Sequence, residues 1–195
     1  MEKYRINEIF YSLQGEGRNT GRAAVFVRFS GCNLKCPFCD TDFTKYQEMS
    51  AQDIIDSMKA LIGDVSTMPM VVLTGGEPTL QVDESLIDAI HKNGFSFVAM
   101  ESNGTALPPK NLDWLTVSPK GEVMVKTCNE LKCIYDEKGL LAYPEGLEAE
   151  YKYVQPCDVG DKEQNASIMA KAIAFVESHP EWRLSLQTHK MIGFK

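Results

Sequence analysis

The chain has 195 residues, 44% of them hydrophobic and 24% charged, which is enough apolar material for one core without disulfides and the composition of neither a disordered nor a membrane-spanning protein. A formal net charge of -7 disfavours a surface that displaces counterions from nucleic acid, so a small-molecule partner is expected instead. No run reaches the roughly 20 apolar residues of a bilayer span, and the opening MEKYRINEIF lacks signal-peptide order. The expectation is a cytoplasmic protein with no membrane partner, folded as a single domain over residues 1–195.

In chain order, Ala23 to Phe29 (AAVFVRF) is rich in β-branched and aromatic residues and reads as a buried strand ending at Ser30-Gly31. Ser50-Ala-Gln-Asp53 opens a helix as a capping box, with Ile54, Ile55, Met58, Leu61 and Ile62 at helical spacing and Gly63 as its stop. Met70 to Thr74 is a second strand, broken by Gly75-Gly76-Glu77-Pro78. A second helix spans Asp83 to Asn93, and a strand follows over Phe95 to Met100. Short strands are expected at Leu115–Val117, Leu131–Tyr135, Tyr151–Val154 and near Arg183–Leu186, with one further helix over Asn165 to Ser178. Strands alternating with few crossover helices predict an α/β fold, an incomplete TIM-like barrel of about six parallel strands.

Three of the six cysteines, Cys32, Cys36 and Cys39, crowd into the loop after the first predicted strand. In a reducing compartment such a cluster binds metal or carries redox chemistry. The C-x3-C-x2-C spacing supplies three thiolates to one 4Fe-4S cluster and leaves a fourth iron open to an outside ligand. From the residues alone, a zinc site with a fourth ligand also suits the loop. Gly-Gly-Glu taken by itself is a turn. Cys128, Cys133 and Cys157 are expected to be packing thiols, and His91 and His179 to be structural or solvated.

The cysteine loop after a strand and a glycine, together with Thr74-Gly75-Gly76-Glu77-Pro78 at the end of the next strand, resembles the radical S-adenosylmethionine superfamily. Ser12-Leu13-Gln14-Gly15-Glu16-Gly17, Arg28, Cys39-Asp40-Thr41, Ser118-Pro119-Lys120 and Gln187-Thr188-His189-Lys190 resemble, within it, the 7-carboxy-7-deazaguanine synthase family. That family converts 6-carboxytetrahydropterin to 7-carboxy-7-deazaguanine with loss of ammonia, in the deazapurine and queuosine pathway. It uses a 4Fe-4S cluster, S-adenosylmethionine and Mg2+, and a cofactor-derived radical, not a side chain, abstracts the hydrogen.

The resemblance implies that Cys32, Cys36 and Cys39 hold the cluster and Thr41 the Mg2+. Phe38, Cys39, Asp40, Gly76, Glu77, Ser102, Ser118, Pro119, Lys120, Gln155, Pro156, Cys157 and Asp158 are implied to bind S-adenosylmethionine. Leu13, Gln14, Gly15, Glu16, Arg28, Thr74, His189 and the terminal carboxylate of Lys195 are implied to bind the pterin. A homodimer and a flavodoxin-type or ferredoxin-type electron donor are further family expectations. From the residues alone, Arg28 also suits a strand-end salt bridge, Thr41 a turn cap and Ser102 a Ser-Asn-Gly turn. The competing readings are a glycyl-radical-enzyme activase and, outside enzymes, an iron-sulfur or zinc-binding module.

Overall fold

The computed structural model of the chain describes residues 3–39, 41–42 and 44–195. Its strands are β1 (Tyr4–Leu13), β2 (Ala23–Phe29), β3 (Gln47–Met49), β4 (Met70–Gly75), β5 (Val98–Ser102), β6 (Trp114–Val117), β7 (Thr127–Asp136), β8 (Gly139–Leu140), β9 (Glu148–Pro156) and β10 (Trp182–Leu184). They make one sheet in the order β10-β9-β7-β6-β5-β4-β2-β1-β3, with β8 pairing on β7. From β2 to β10 along that path every pairing is parallel, whereas β1 runs antiparallel to both β2 and β3. The two ends do not meet, so the sheet is an open, partial barrel with parallel strands β2, β4, β5, β6, β7, β9 and β10.

Alternation along the strands separates two apolar layers. Val25, Val27, Phe29, Val71, Leu73, Val98 and Met100 face one side and form the main core with the helices. That core is closed by α1 (Ala51–Ile62) and α2 (Glu84–Lys92), through Ile54, Ile55 and Met58 and through Leu86, Ile87 and Ile90. Farther along the sheet α3 (Lys162–Ser178) adds Ala172. On the other face Ala24, Phe26, Met70, Val72 and Ala99 form a smaller cluster, with Phe10 stacked on Phe26 at 4.8 Å.

Local chemistry fixes the helix starts. Ser50 Oγ accepts from the Asp53 amide at 3.2 Å while the Asp53 carboxylate accepts from the Ser50 amide at 2.8 Å, the reciprocal capping box. Asp83 caps α2 through the Leu86 amide at 2.9 Å. The third helix begins at Lys162 rather than Asn165, because Asp161 accepts from the Glu163 and Gln164 amides. The strand expected from Phe95 instead runs over Val98–Ser102; Phe95 is fully buried, yet it belongs to the connection from α2. Beyond the sequence reading, the structure adds β1, β3, β8 and a short helix α4 (Thr188–Ile192).

Leu73 lies fully buried in β4 between both neighbouring strands. Leu73→Ala is expected to lower unfolding free energy by about 2–5 kcal/mol through lost burial and a residual cavity. Urea unfolding of the two proteins measures the difference.

Candidate functional site

A cavity of about 780 Å³ opens where the parallel strands end, the position at which barrel-like α/β folds carry their chemistry. The alternation that builds the smaller apolar cluster also builds this cavity. One step beyond Phe26, Val72 and Ala99 on the same face stand Arg28, Thr74 and Glu101, all lining it. Arg28 and Thr74 are direct partners in the β2–β4 register.

The three cysteines of the loop after β2 all line the cavity, and their thiols are free. Burial raises the Cys36 thiol above its ordinary value, Lys120 opposes that, and the Cys39 and Cys32 charges raise it further. Cys36 thus sits within electrostatic reach of the other two thiols, a sulfur donor set of the kind that holds iron. Among the described residues no group of three or more His, Cys, Asp or Glu is gathered tightly enough to hold a metal ion, so the thiols converge on the cavity without forming a closed site.

The glycines of Gly75-Gly76-Glu77 bring backbone against backbone. The Gly76 amide donates to the Phe29 carbonyl at 3.0 Å, and the Glu77 amide donates to the Gly31 carbonyl at 2.9 Å. A Cβ on Gly76 would run into that Gly31 carbonyl. Glu77 does not line the cavity. Fully buried, it accepts from Ser102 Oγ at 2.8 Å, the Asn103 amide at 2.7 Å and Thr79 Oγ1 at 2.6 Å. Asn103 in turn donates to Asn33 at 3.0 Å, inside the cysteine loop. The motif thus fastens the loop to the ends of β4 and β5, while Gly76 and Ser102 stay on the cavity wall.

On the opposite wall, Leu13, Gln14, Gly15 and Glu16 line the cavity at the end of β1. Gln14 donates to Glu101 at 3.0 Å. Glu16 is engaged by three side chains: Lys132 on one carboxylate oxygen, and Gln155 at 3.1 Å and Gln187 at 2.9 Å on the other. Burial raises its carboxyl, but Lys132 and Gln187 outweigh that and hold it down to about 2. Lys132, only 4% exposed, also lies 3.7 Å from Glu101. Burial disfavours its charge, and Glu101, Glu16 and Glu130 more than restore it, so it stays an ammonium above the ordinary lysine range. Lys120, also on the wall, is lowered to about 8 by burial and by the Lys132 charge.

Arg28 donates from Nε to Glu8 at 2.9 Å and from Nη1 to Thr41 Oγ1 at 3.3 Å. Glu8 also accepts from Lys195 Nζ at 2.5 Å, and Ser12 Oγ donates to a main-chain oxygen of Lys195 at 2.6 Å. Arg28 thus makes the strand-end salt bridge and still faces the cavity, as do Thr41 and Lys195. Phe38, Ser118, Gln155, Pro156, Cys157, Asp158 and His189 complete the expected lining; Pro119 is buried and, like Glu77, does not line the cavity. Asp40 lies outside the described residues. Cys128 and Cys133 are pushed up to about 12 by burial, as packing thiols are. His91 pairs with Asp113 at 2.8 Å and His179 stacks on Phe175, so neither is near the cavity wall.

The lining residues that sequence reading missed are chiefly Glu8, Glu101, Lys132 and Gln187. For Lys132 a signal was present: one lysine inside the apolar run Leu131-Lys132-Cys133-Ile134.

A family model described as the Radical SAM superfamily matches residues 26–119. A 7-carboxy-7-deazaguanine synthase of Bacteroides thetaiotaomicron is 45% identical, over 98% of both chains. One of Bradyrhizobium diazoefficiens is 44% identical over 98% of this chain and 99% of its own. Among solved structures, a crystal structure of QueE from Escherichia coli superposes with a TM-score of 0.72 at 26% identity, covering 96% of this chain and 95% of that one.

Asp158 ties this wall together: it accepts from the Gly160 amide, Asn165 and Lys190, and those bonds lower its carboxyl from 3.8 to about 2. Because the folded value is the lower one, its contribution is present above about pH 3.8 and is lost as pH falls toward about 2. Asp158→Asn is therefore expected to be less stable than the parent at pH 7, with the gap closing through that window. Denaturant unfolding at pH 7, 4 and 2.5 reads the gap.

Proposed function

The chain belongs to the 7-carboxy-7-deazaguanine synthase family of radical S-adenosylmethionine enzymes, and we propose that it converts 6-carboxytetrahydropterin to 7-carboxy-7-deazaguanine with loss of ammonia. One observation carries the reading: the cysteine loop and the Leu13–Glu16, Arg28, Thr74 and His189 set line the same cavity. Its position at the strand ends and its size suit a cofactor and a flat heterocycle side by side. The close relatives favour this reading over a glycyl-radical activase.

Cys32, Cys36 and Cys39 are the proposed cluster ligands. The fit rests on donor chemistry, three free thiols on one cavity wall. When bound, the cluster and S-adenosylmethionine supply a carbon-centred radical that takes a hydrogen atom from the substrate. The remaining work falls to this chain's own groups. Phe38, Gly76, Ser102, Ser118, Lys120 and the Gln155–Asp158 segment bind and orient S-adenosylmethionine beside the thiols. Glu77 acts from behind, by holding Ser102 and Asn103. Asp40 and Pro119 belong to the same proposed set by family resemblance.

For the pterin, the backbone of Leu13 to Gly15 offers donors and acceptors to a flat polar ring. Arg28 presents a planar fork to the substrate carboxylate, and the Glu8 bond at Nε sets its orientation. Thr74 and His189 contact the ring, and Lys195 borders the same site. Thr41 is the proposed Mg2+ ligand. Its hydroxyl is a hard oxygen donor that would hold the ion, and here it accepts from Arg28 Nη1 at 3.3 Å. The proposal includes one working domain over residues 1–195, a cytoplasmic homodimer and a flavodoxin-type or ferredoxin-type donor, all family expectations. Among the described residues no helix is long and apolar enough to cross a membrane.

Two variants test the assignments under anaerobic conditions. Cys36→Ala is expected to lose the cluster's visible absorption and all formation of 5'-deoxyadenosine. Thr41→Ala is expected to keep the cluster and lose most of the stimulation of turnover by Mg2+. An unchanged Mg2+ response in the second variant rejects Thr41 as the ligand. Full cluster assembly in the first rejects the three-cysteine site.

A further inference from the structure

Glu16 was expected to face the pterin, yet its carboxylate is occupied by the protein. Lys132 donates to one oxygen, and Gln155 and Gln187 donate to the other. With both oxygens engaged, the group behaves as a knot between segments. It joins the turn after β1, the middle of β7, the end of β9 and the stretch that follows β10.

A second set of bonds runs parallel to the first. Ser185 Oγ accepts from the Gly17 amide and donates to Gln155, both at 3.0 Å. Thr188 donates to the Gly15 carbonyl from its amide at 3.0 Å and from Oγ1 at 2.9 Å. His189 then packs so closely on Gly15 that a Cβ there would enter its imidazole ring. From this anchor the chain runs through α4 to Lys195, placing His189, Lys190 and Lys195 on the cavity wall.

At the base of the knot stands Lys132, 4% exposed and flanked by Glu16 and Glu101. A buried ion pair adds little stability over an apolar replacement of the same volume, because desolvation offsets the attraction, so the role of this one is sought in the geometry it imposes. We propose that Lys132 is a positioning residue: its ammonium fixes Glu16, which holds Gln155 and Gln187 and so keeps the C-terminal segment from Ser185 to Lys195 in place over the cavity. The inference deepens the proposed pterin pocket and rests on that reading for its kinetic consequence. For its structural consequence it rests on the bonds alone.

Three variants and two readouts test it. Lys132→Met leaves Glu16 buried without its cation. The double variant Glu16→Leu with Lys132→Met removes the unpaired Glu16 charge of the first variant and leaves the knot untied. Gln187→Ala unties the segment and spares the ion pair. In each, amide hydrogen exchange over residues 185–193 is expected to rise on the order of tenfold, with β2 and β4 unchanged. The KM for 6-carboxytetrahydropterin is expected to rise by a similar factor, and in Gln187→Ala, which leaves the Gln155–Glu16 bond in place, reductive cleavage of S-adenosylmethionine without the pterin stays at the parent's rate. Parent-like exchange and parent-like KM in the double variant and in Gln187→Ala overturn the proposal, whether or not Lys132→Met folds. Should the parent itself fail to turn over the pterin, the proposed reaction falls, and hydrogen exchange still decides the role of Lys132.

Discussion

A lysine buried in the middle of a parallel strand has to be answered by anions, and the arrangement around Lys132 follows from that requirement. Its neighbours Leu131 and Cys133 point into the main core, so alternation turns Lys132 to the cavity face. An unpaired ammonium there would be strongly disfavoured. Glu16 from the turn after β1, Glu101 from β5 and Glu130 from β7 supply the compensating charge. Once Glu16 is committed, Gln155 and Gln187 have a fixed acceptor. Residues far apart in the chain are then drawn to one wall.

The other constraint is the layering of the sheet. A small apolar cluster, Phe26, Val72 and Ala99 among it, underlies Arg28, Thr74 and Glu101, so the polar groups stand on a dry, packed support. Rigid support of this kind keeps reacting groups in register, where a displacement of about 1 Å can cost a hundredfold in rate. The register shift in β1 between Ile6 and Glu8 serves the same end. Before it, Tyr4 and Ile6 are buried in the main core; after it, Glu8 and Phe10 face the cavity. Without the shift, Glu8 would follow Ile6 into the core and Arg28 would lose its partner.

Those two features explain what was legible in the sequence. The β2 run, the α1 capping box and the Gly75–Pro78 break are local signals, and each stands where its residues predict. The cysteine loop was readable for the same reason, whereas the Gln14–Glu16 turn stood out only through its resemblance to the family's motif. The first strand was not, because the shift interrupts its period of two just where the pattern would have been counted. The part played by Glu77 was hidden too: a carboxylate beside two glycines suggests a ligand contact, whereas its partners, Ser102 and Asn103, lie on another strand and its loop. The charge network of Glu16, Glu101 and Lys132 joins three elements, so its parts were visible only as isolated residues.

The site therefore depends on one cavity serving both the cysteine loop and the polar wall opposite. The most direct measurement is anaerobic incubation of the cluster-loaded protein with S-adenosylmethionine, a reductant, Mg2+ and 6-carboxytetrahydropterin, with mass analysis of the products. Formation of 7-carboxy-7-deazaguanine with release of ammonia is the predicted result. Formation of 5'-deoxyadenosine with the pterin recovered unchanged would contradict the account, leaving the radical chemistry in place and the wall opposite the cysteines without its assigned substrate.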